Sequence, residues 1–171
     1  MTIRRLTPAD VDAYQALRLR GLRESPEAFG STYEEEVERP VASVAERLGG
    51  AGNTAVFGAF GEDGALLGMG GVHREGKRKA LHRAGIWGMY VVPEARGRGL
   101  GRALLQALVD YARTLEGVHR LELGVESTNT AARALYHAFG FVTWGVQPDA
   151  YRAGGRSWDA EMMTLALEDV P

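Results

Sequence analysis

Apolar positions recur along this chain with two different periods, and the changes of period fall at glycine and proline. Thr7-Pro8-Ala9-Asp10 has the composition of a helix start. Thr7 is placed as N-cap, Pro8 takes the first helical position where its missing N–H costs nothing, and Asp10 lies near the positive end of the dipole. This predicts a helix over 7–23 after a short strand over 3–5. Ser31 and Thr32 can each cap a turn containing Glu34, Glu35 and Glu36. Pro40 then opens a second helical piece with Val41, Val44, Ala45 and Leu48 on one face, and Gly49-Gly50 ends it.

From there the period shortens. Residues 54–60 and 66–73 read as strands joined by the turn Gly61-Glu62-Asp63-Gly64, which predicts a hairpin. A third strand over 81–92 follows a basic tip, 75–79. Between 99 and 115 the spacing of Leu100, Ala103, Leu104, Leu108, Tyr111 and Leu115 fits the buried stripe of a helix, closed by Gly117. A strand over 120–126 puts Leu121, Leu123 and Val125 on one face. A short helix over 130–138 stops before Gly140, and two last strands, 141–145 and 161–167, flank a polar, glycine-containing loop. Antiparallel strands first, then strand, helix, strand, helix, strand, predict an α/β (α+β) chain around one central sheet.

Composition narrows the functional classes. A chain of 171 residues with 45% hydrophobic and 25% charged positions is expected to be one soluble domain, 1–171. A net charge of -2 gives no overall pull toward nucleic acid or anionic lipid, so any anion site must be local. Zero cysteines exclude disulfides, cysteine metal sites and a thiol-bound acyl intermediate. The opening residues lack a signal peptide's apolar core and no run approaches the ~18 apolar residues of a membrane span. The expectation is a cytoplasmic protein with no membrane partner.

One segment stands out for its chemistry. In Arg96-Gly97-Arg98-Gly99-Leu100-Gly101 three glycines precede or open a helix, whose first N–H groups have no intrahelical acceptor, and Arg96, Arg98 and Arg102 add positive charge. Such a turn suits a diphosphate. It is not a P-loop, because Arg102-Ala103 stands where Lys-Ser/Thr is needed. It is a poor dinucleotide fingerprint, because Arg102 occupies the third glycine's place, although Glu126 can imitate the ribose acid.

The wider stretch from Trp87 to Gly101 (an apolar strand, Val91-Val92-Pro93, then Arg96 and the glycines) resembles the central signature of the GNAT superfamily of acetyl-CoA-dependent N-acetyltransferases. Asn129-Thr-Ala-Ala-Arg-Ala-Leu-Tyr136, with Gly140-Phe141, is similar to that superfamily's second signature. The resemblance is clear over about 85–145 and implies the GNAT acyl-CoA N-acyltransferase fold: a mixed, mostly antiparallel sheet of about six to seven strands with about four helices. It implies acetyl-CoA as co-substrate, its pantetheine arm lying between two splayed strands against the backbone of Met89, Tyr90 and Val91. Gly88 is placed to mark a bulge that helps the strands part. The diphosphate falls to Arg96, Gly97, Arg98, Gly99, Leu100, Gly101 and Arg102, with Asn129 and Tyr136 on one face of the short helix. In the family this tyrosine protonates the departing thiolate, which makes Tyr136 the expected general acid; packing beside Ala132, Leu135 and Phe139 is its structural reading. Asn129 equally suits an N-cap.

The resemblance implies direct, sequential attack of a primary amine on the thioester, and leaves the acceptor, a small molecule or a peptide, open. Some N-terminal acetyltransferases of the family carry a glutamate where this chain has Gly124, so that base is missing. Glu34 or Glu35 is the alternative base, against a capping role for both. Tyr33 and Trp87 are candidate acceptor-side aromatics, equally explained as core. The acidic run Glu34, Glu35, Glu36, Glu38 leans the slot toward cationic acceptors. His73, His82, His119 and His137 show no ligand-like pairing, so no metal is expected. Arg74, Lys77, Arg78, Lys79 and Arg83 read as a solvated hairpin tip without the aromatics of a nucleic-acid surface. A homodimer is the commonest symmetric assembly and stays open. The rival readings are a non-catalytic acyl-CoA-binding sensor module, which needs no Tyr136, and a nucleotide-binding domain.

Overall fold

The computed structural model describes residues 1–50 and 53–167. In chain order the elements are β1 (Thr2–Arg5), α1 (Val11–Glu24), α2 (Tyr33–Val37), α3 (Val41–Leu48), β2 (Thr54–Phe60), β3 (Leu66–Arg74), β4 (Arg83–Val91), α4 (Leu100–Arg113), β5 (Arg120–Glu126), α5 (Thr130–Ala138), β6 (Val142–Ala153) and β7 (Arg156–Ala166). The seven strands form one sheet in the order β1-β2-β3-β4-β5-β7-β6. Every pairing is antiparallel except β4 with β5. The expected mixed, mostly antiparallel sheet with flanking helices is therefore observed.

Local chemistry explains most boundaries. Asp10 closes the first helical turn, accepting from the Thr7 amide at 2.8 Å and the Thr7 hydroxyl at 3.1 Å while Arg4 pairs with it at 2.6 Å. That turn, Pro8–Asp10, is 3-10 rather than α, so the predicted first helix is two pieces. Thr32 caps α2 in a reciprocal box: its hydroxyl accepts from the Glu35 amide at 3.2 Å, and the Glu35 carboxylate accepts from the Thr32 amide at 2.8 Å. α3 buries Val44 and Leu48, but Val41, at its first position, is 63% exposed. The buried face of α4 is wider than the predicted stripe and adds Leu105, Val109 and Ala112. Two layers result. Leu105, Leu108 and Val109 pack with Ala55, Val72 and Leu121, while Tyr14, Leu17, Val44 and Leu48 pack with Val56 and Met69.

The largest difference from expectation lies near the C-terminus. The stretch read as a polar loop continues both last strands into a long hairpin, β6 and β7, that turns at Gly154 and Gly155 with φ of 56° and 74°. Its register slips between Gln147 and Tyr151, where Pro148 cannot donate to the ladder and Asp149 has φ of 53°. The extension was hidden because it is short of large buried residues and carries Pro148-Asp149 and Gly154-Gly155, which read as loop signals.

A buried ion-pair cluster ties α1, α2 and α3 together. Glu36, 1% exposed, meets Arg18 at 3.0 Å, Arg39 at 3.1 Å and Arg47 at 3.5 Å. Burial by itself would raise this carboxyl. The Arg18 hydrogen bond and the charges of Arg18 and Arg47, with the Arg39 hydrogen bond, outweigh it and hold Glu36 at about 2. No helix among the described residues is long and apolar enough to cross a membrane.

Replacing Glu36 by glutamine strands the buried Arg18 guanidinium and the half-buried Arg39 and Arg47, and is expected to cost about 3–5 kcal/mol in urea denaturation. Because the folded-state value lies below the ordinary 4.5, the wild-type contribution is complete above that pH and is lost as pH falls through about 2. The Glu36→Gln variant should lack that part of the acid transition.

Candidate active site

The sheet opens in its middle. β4 and β5 pair only at Arg83 with Arg120, Ala84 with Leu121 and Gly85 with Glu122. Beyond that point the β5-facing backbone groups of β4 have no strand partner, and a wedge widens toward the carboxyl ends of both strands. A bulge accompanies the opening: Trp87 pairs with Gly71 and Tyr90 with Met69, so Gly88 and Met89 together oppose Gly70. Gly88 has φ of 62°, which only glycine adopts cheaply, and it stands where a bulge was expected.

A groove of about 950 Å³ runs from the wedge to the start of α4. Met89, Tyr90, Val91, Arg96, Gly97, Gly99, Leu100, Gly101, Asn129 and Tyr136 all line it. Gly97 and Gly99 have φ of 74° and 81°, and Gly99 is the N-cap of α4, so the turn presents the helix's first N–H groups to the groove. Nothing lies within 4 Å of a Cβ built on either glycine, which leaves the cradle open to a ligand. Gly101 lies inside α4 with an ordinary backbone; there the missing side chain keeps room beside Leu135 and Val91. Arg96 donates to the Val91 carbonyl at 2.9 Å and so sits at the junction of strand and turn. Arg98 and Arg102 do not line the groove: both are exposed, and Arg102 lies 5.0 Å over the Phe139 ring.

The expected pair on α5 meets at the wedge. Asn129 caps the helix, its Oδ1 accepting from the Ala132 amide at 3.1 Å, and lines the groove with its remaining surface. Tyr136 is 6% exposed, packs edge-on to Phe141 with ring centroids 5.8 Å apart, and has no hydrogen-bond partner for its hydroxyl among the described residues. Burial pushes that phenol up to about 12. Tyr90 reaches a similar value for another reason: burial first, then a 2.5 Å hydrogen bond from its hydroxyl to Glu24. The Tyr90 side chain therefore fastens β4 to α1.

The point of the wedge holds a smaller cavity of about 70 Å³, walled by Trp87 to Met89 from β4, Leu123 to Glu126 from β5, and Asn129 and Tyr136 from α5. The segment from Glu27 to Gly30 and Tyr151 of the hairpin complete the wall. Trp87 lines this cavity, while its indole packs over Gly71 between Arg18 and Arg47, 5.6 and 5.8 Å from the ring centroid. Beyond lies an outer groove of about 770 Å³ lined by Tyr33, Glu34, Arg23, Arg152, Arg156 and Trp158, among others. Tyr33 accepts from Arg23 at 2.5 Å.

The acidic border expected for the acceptor slot is absent. Glu36 is consumed by the buried cluster and Glu35 by its cap; Glu34 alone of the four lines the outer groove, facing three arginines. Neither Glu34 nor Glu35 lines the inner cavity. The residues that sequence reading passed over are Glu27, Tyr151, Arg156 and Trp158. Each comes from a turn or from the unrecognised hairpin extension, and only chain folding brings them to the wedge. Among the described residues no three His, Asp or Glu side chains gather as a metal site.

Known proteins share this architecture. The family model described as "Acetyltransferase (GNAT) family" matches residues 19–141. The L-methionine sulfoximine/L-methionine sulfone acetyltransferase of Salmonella typhimurium is 40% identical over 81 residues, 47% of this chain and 47% of that protein. The matched segment thus spans about half the length of that curated relative. Among solved structures, the ribosomal-protein-alanine N-acetyltransferase of Brucella melitensis superposes with a TM-score of 0.81 at 26% identity, covering 98% of this chain and all of that one. The Salmonella typhimurium protein yncA, solved with its cofactor acetyl-CoA, gives 0.80 at 26% identity over 98% of this chain and 94% of its own. The splayed strands, the glycine turn and the α5 tyrosine thus stand in a molecule that belongs to the GNAT acetyltransferase family.

Proposed function

We propose that this chain transfers an acetyl group from acetyl-CoA to a primary amine by direct attack. The observation that carries the reading is the wedge itself: one continuous groove links an anion cradle at the start of α4 to a buried, unpartnered phenol between two parted strands. The α4 turn suits the diphosphate, with Arg96 as its cation, and unpaired backbone of β4 around Met89 to Val91 suits the pantetheine amides. The co-substrate supplies an activated thioester. With the thioester bound at the wedge, an unpaired β4 amide would stabilise the developing oxyanion charge. Tyr136 holds the proton for the departing sulfur. With the phenol at about 12 and a thiol near ~8.5, that transfer is uphill by roughly 5 kcal/mol in isolation, so positioning and the collapse of the adduct must drive it.

The acceptor side is basic. Arg156 has no ion-pair partner among the described residues, and it lines both the main and the outer groove with Arg23 nearby. This favours an acceptor with a carboxylate close to its amine, in keeping with the amino-acid derivatives in the name of the Salmonella relative.

Acetyl-CoA at one hundred times its Kd is expected to stabilise the protein by about 2.7 kcal/mol in a thermal-shift titration, with NAD and ATP giving less. Arg96→Glu and Gly101→Leu, which reverse the cradle's charge and fill the groove, should abolish most of the shift; no shift in the wild type would sink the reading. Tyr136→Phe is expected to keep the shift and lower kcat roughly 10²- to 10⁴-fold. Since burial holds the hydroxyl protonated, wild-type activity should show no falling limb from Tyr136 below about pH 11.

A further inference from the structure

We propose that Glu27 is the residue that accepts the acceptor amine's proton, an assignment that rests on the acetyl-transfer reading above. Three carboxylates line the wedge and its groove. Glu24 is engaged by the Tyr90 hydroxyl at 2.5 Å and by Arg20 at 2.8 Å. Glu126 accepts from the Thr128 amide at 3.0 Å and from the Thr128 hydroxyl at 2.9 Å, which closes the turn after β5. Glu27 alone of the three has neither an ion pair nor a hydrogen bond among the described residues, and it lines both the inner cavity and the groove.

Its position follows from the turn that carries it. Pro26–Ala28 is a single 3-10 turn after α1, and it touches β4 and β5 on either side of the opening. Phe29 anchors the next residue in the core, 5% exposed and packed on Tyr90 with centroids 6.0 Å apart. Tyr151 of the hairpin closes over the following one, 3.5 Å from a Cβ built on Gly30. A half-buried carboxylate with no partner among the described residues thus lines the same small cavity as a phenol that is itself nine-tenths buried and likewise unpartnered among them. One proton acceptor and one proton donor lining a single cavity is the pairing that acyl transfer to nitrogen requires.

The proton count closes. A neutral amine bonds through its lone pair to the acetyl carbon, and the carbon–sulfur bond breaks. Attack makes the nitrogen's protons far more acidic than those of a free ammonium, and one passes to the Glu27 carboxylate. The Tyr136 hydroxyl gives its proton to sulfur. The proton on Glu27 returns through solvent to the Tyr136 oxygen, leaving amide and thiol as the only products.

The test uses the full chain, acetyl-CoA and a panel of free L-amino acids and simple alkylamines, with coenzyme A release as readout on the best-turned-over member. Glu27→Ala is expected to lower kcat at least 100-fold, with melting temperature and acetyl-CoA-induced stabilisation unchanged, and Glu27→Asp should recover part of the loss. Added sodium formate should restore turnover in Glu27→Ala and leave Glu27→Gln inactive, because a small carboxylate can replace a missing one only where space has been vacated. Unchanged kcat in Glu27→Ala, or a loss that formate does not relieve, overturns the assignment. If the wild type binds acetyl-CoA but turns over no panel member, the assignment falls with the transfer reading; if Glu27→Ala alone fails, the transfer reading stands.

Discussion

Hydrogen bonding between β4 and β5 stops after three residue pairs, and that early stop is the constraint around which the rest of the molecule is arranged. A parallel pair that continued would satisfy the backbone of both strands and leave a solid sheet. Here the ladder ends at Gly85 and Glu122, and the next residues of β4 enter a bulge at Gly88 whose positive φ turns the strand away from its neighbour. Backbone donors and acceptors normally spent on sheet formation become a lining for a groove. Unpaired peptide groups are costly when buried without a partner, so the wedge is a place where a polar, amide-bearing chain gains more than water would.

The surroundings keep the two strands apart. On one side α4 packs tightly because Gly68 and Gly70 give it room; a Cβ at either would come within 3.0 Å of Leu104 or Leu108. On the other, the Glu36 cluster locks α1 to α2 and α3, and the Tyr90–Glu24 hydrogen bond fastens α1 to β4. These ties fix the segment from Ser25 to Gly30 over the opening. Charge is distributed with the same logic. Glu36 beneath the site is neutralised by Arg18, Arg39 and Arg47, whereas the described lining of the outer groove holds Arg23, Arg152 and Arg156 against Glu34. Among the described residues, Glu27 is the carboxylate at the inner cavity that has no partner.

Most elements were legible in the sequence because their cause is local. Thr54–Phe60, Arg120–Glu126 and Thr130–Ala138 begin and end where period and breakers change, and Gly97 and Gly99 announced an anion cradle through backbone chemistry that only glycine permits. The resemblance in the second half came from two ordered motifs, and most of the residues that those motifs named line the groove. Arg98 and Arg102 are the exceptions. They flank the cradle in sequence, but Arg98, in the turn before α4, and Arg102, in its first turn, are both exposed and do not line the groove.

Periodicity, caps and glycine positions alone determined that this chain builds a mixed sheet with an anion-binding turn before its longest apolar stripe, because each of those signals is a property of neighbouring residues. Tertiary structure decided the acceptor side. Whether a glutamate caps a helix, vanishes into an ion-pair cluster or stands free at a cavity depends on elements far apart in the chain, and Glu34, Glu35, Glu36 and Glu27 carry the same side chain into four different surroundings. The β6–β7 extension was equally invisible, since an exposed hairpin held mainly by its own ladder needs no alternation of apolar and polar residues. Only its folded position brings Tyr151 and Arg156 to the wedge.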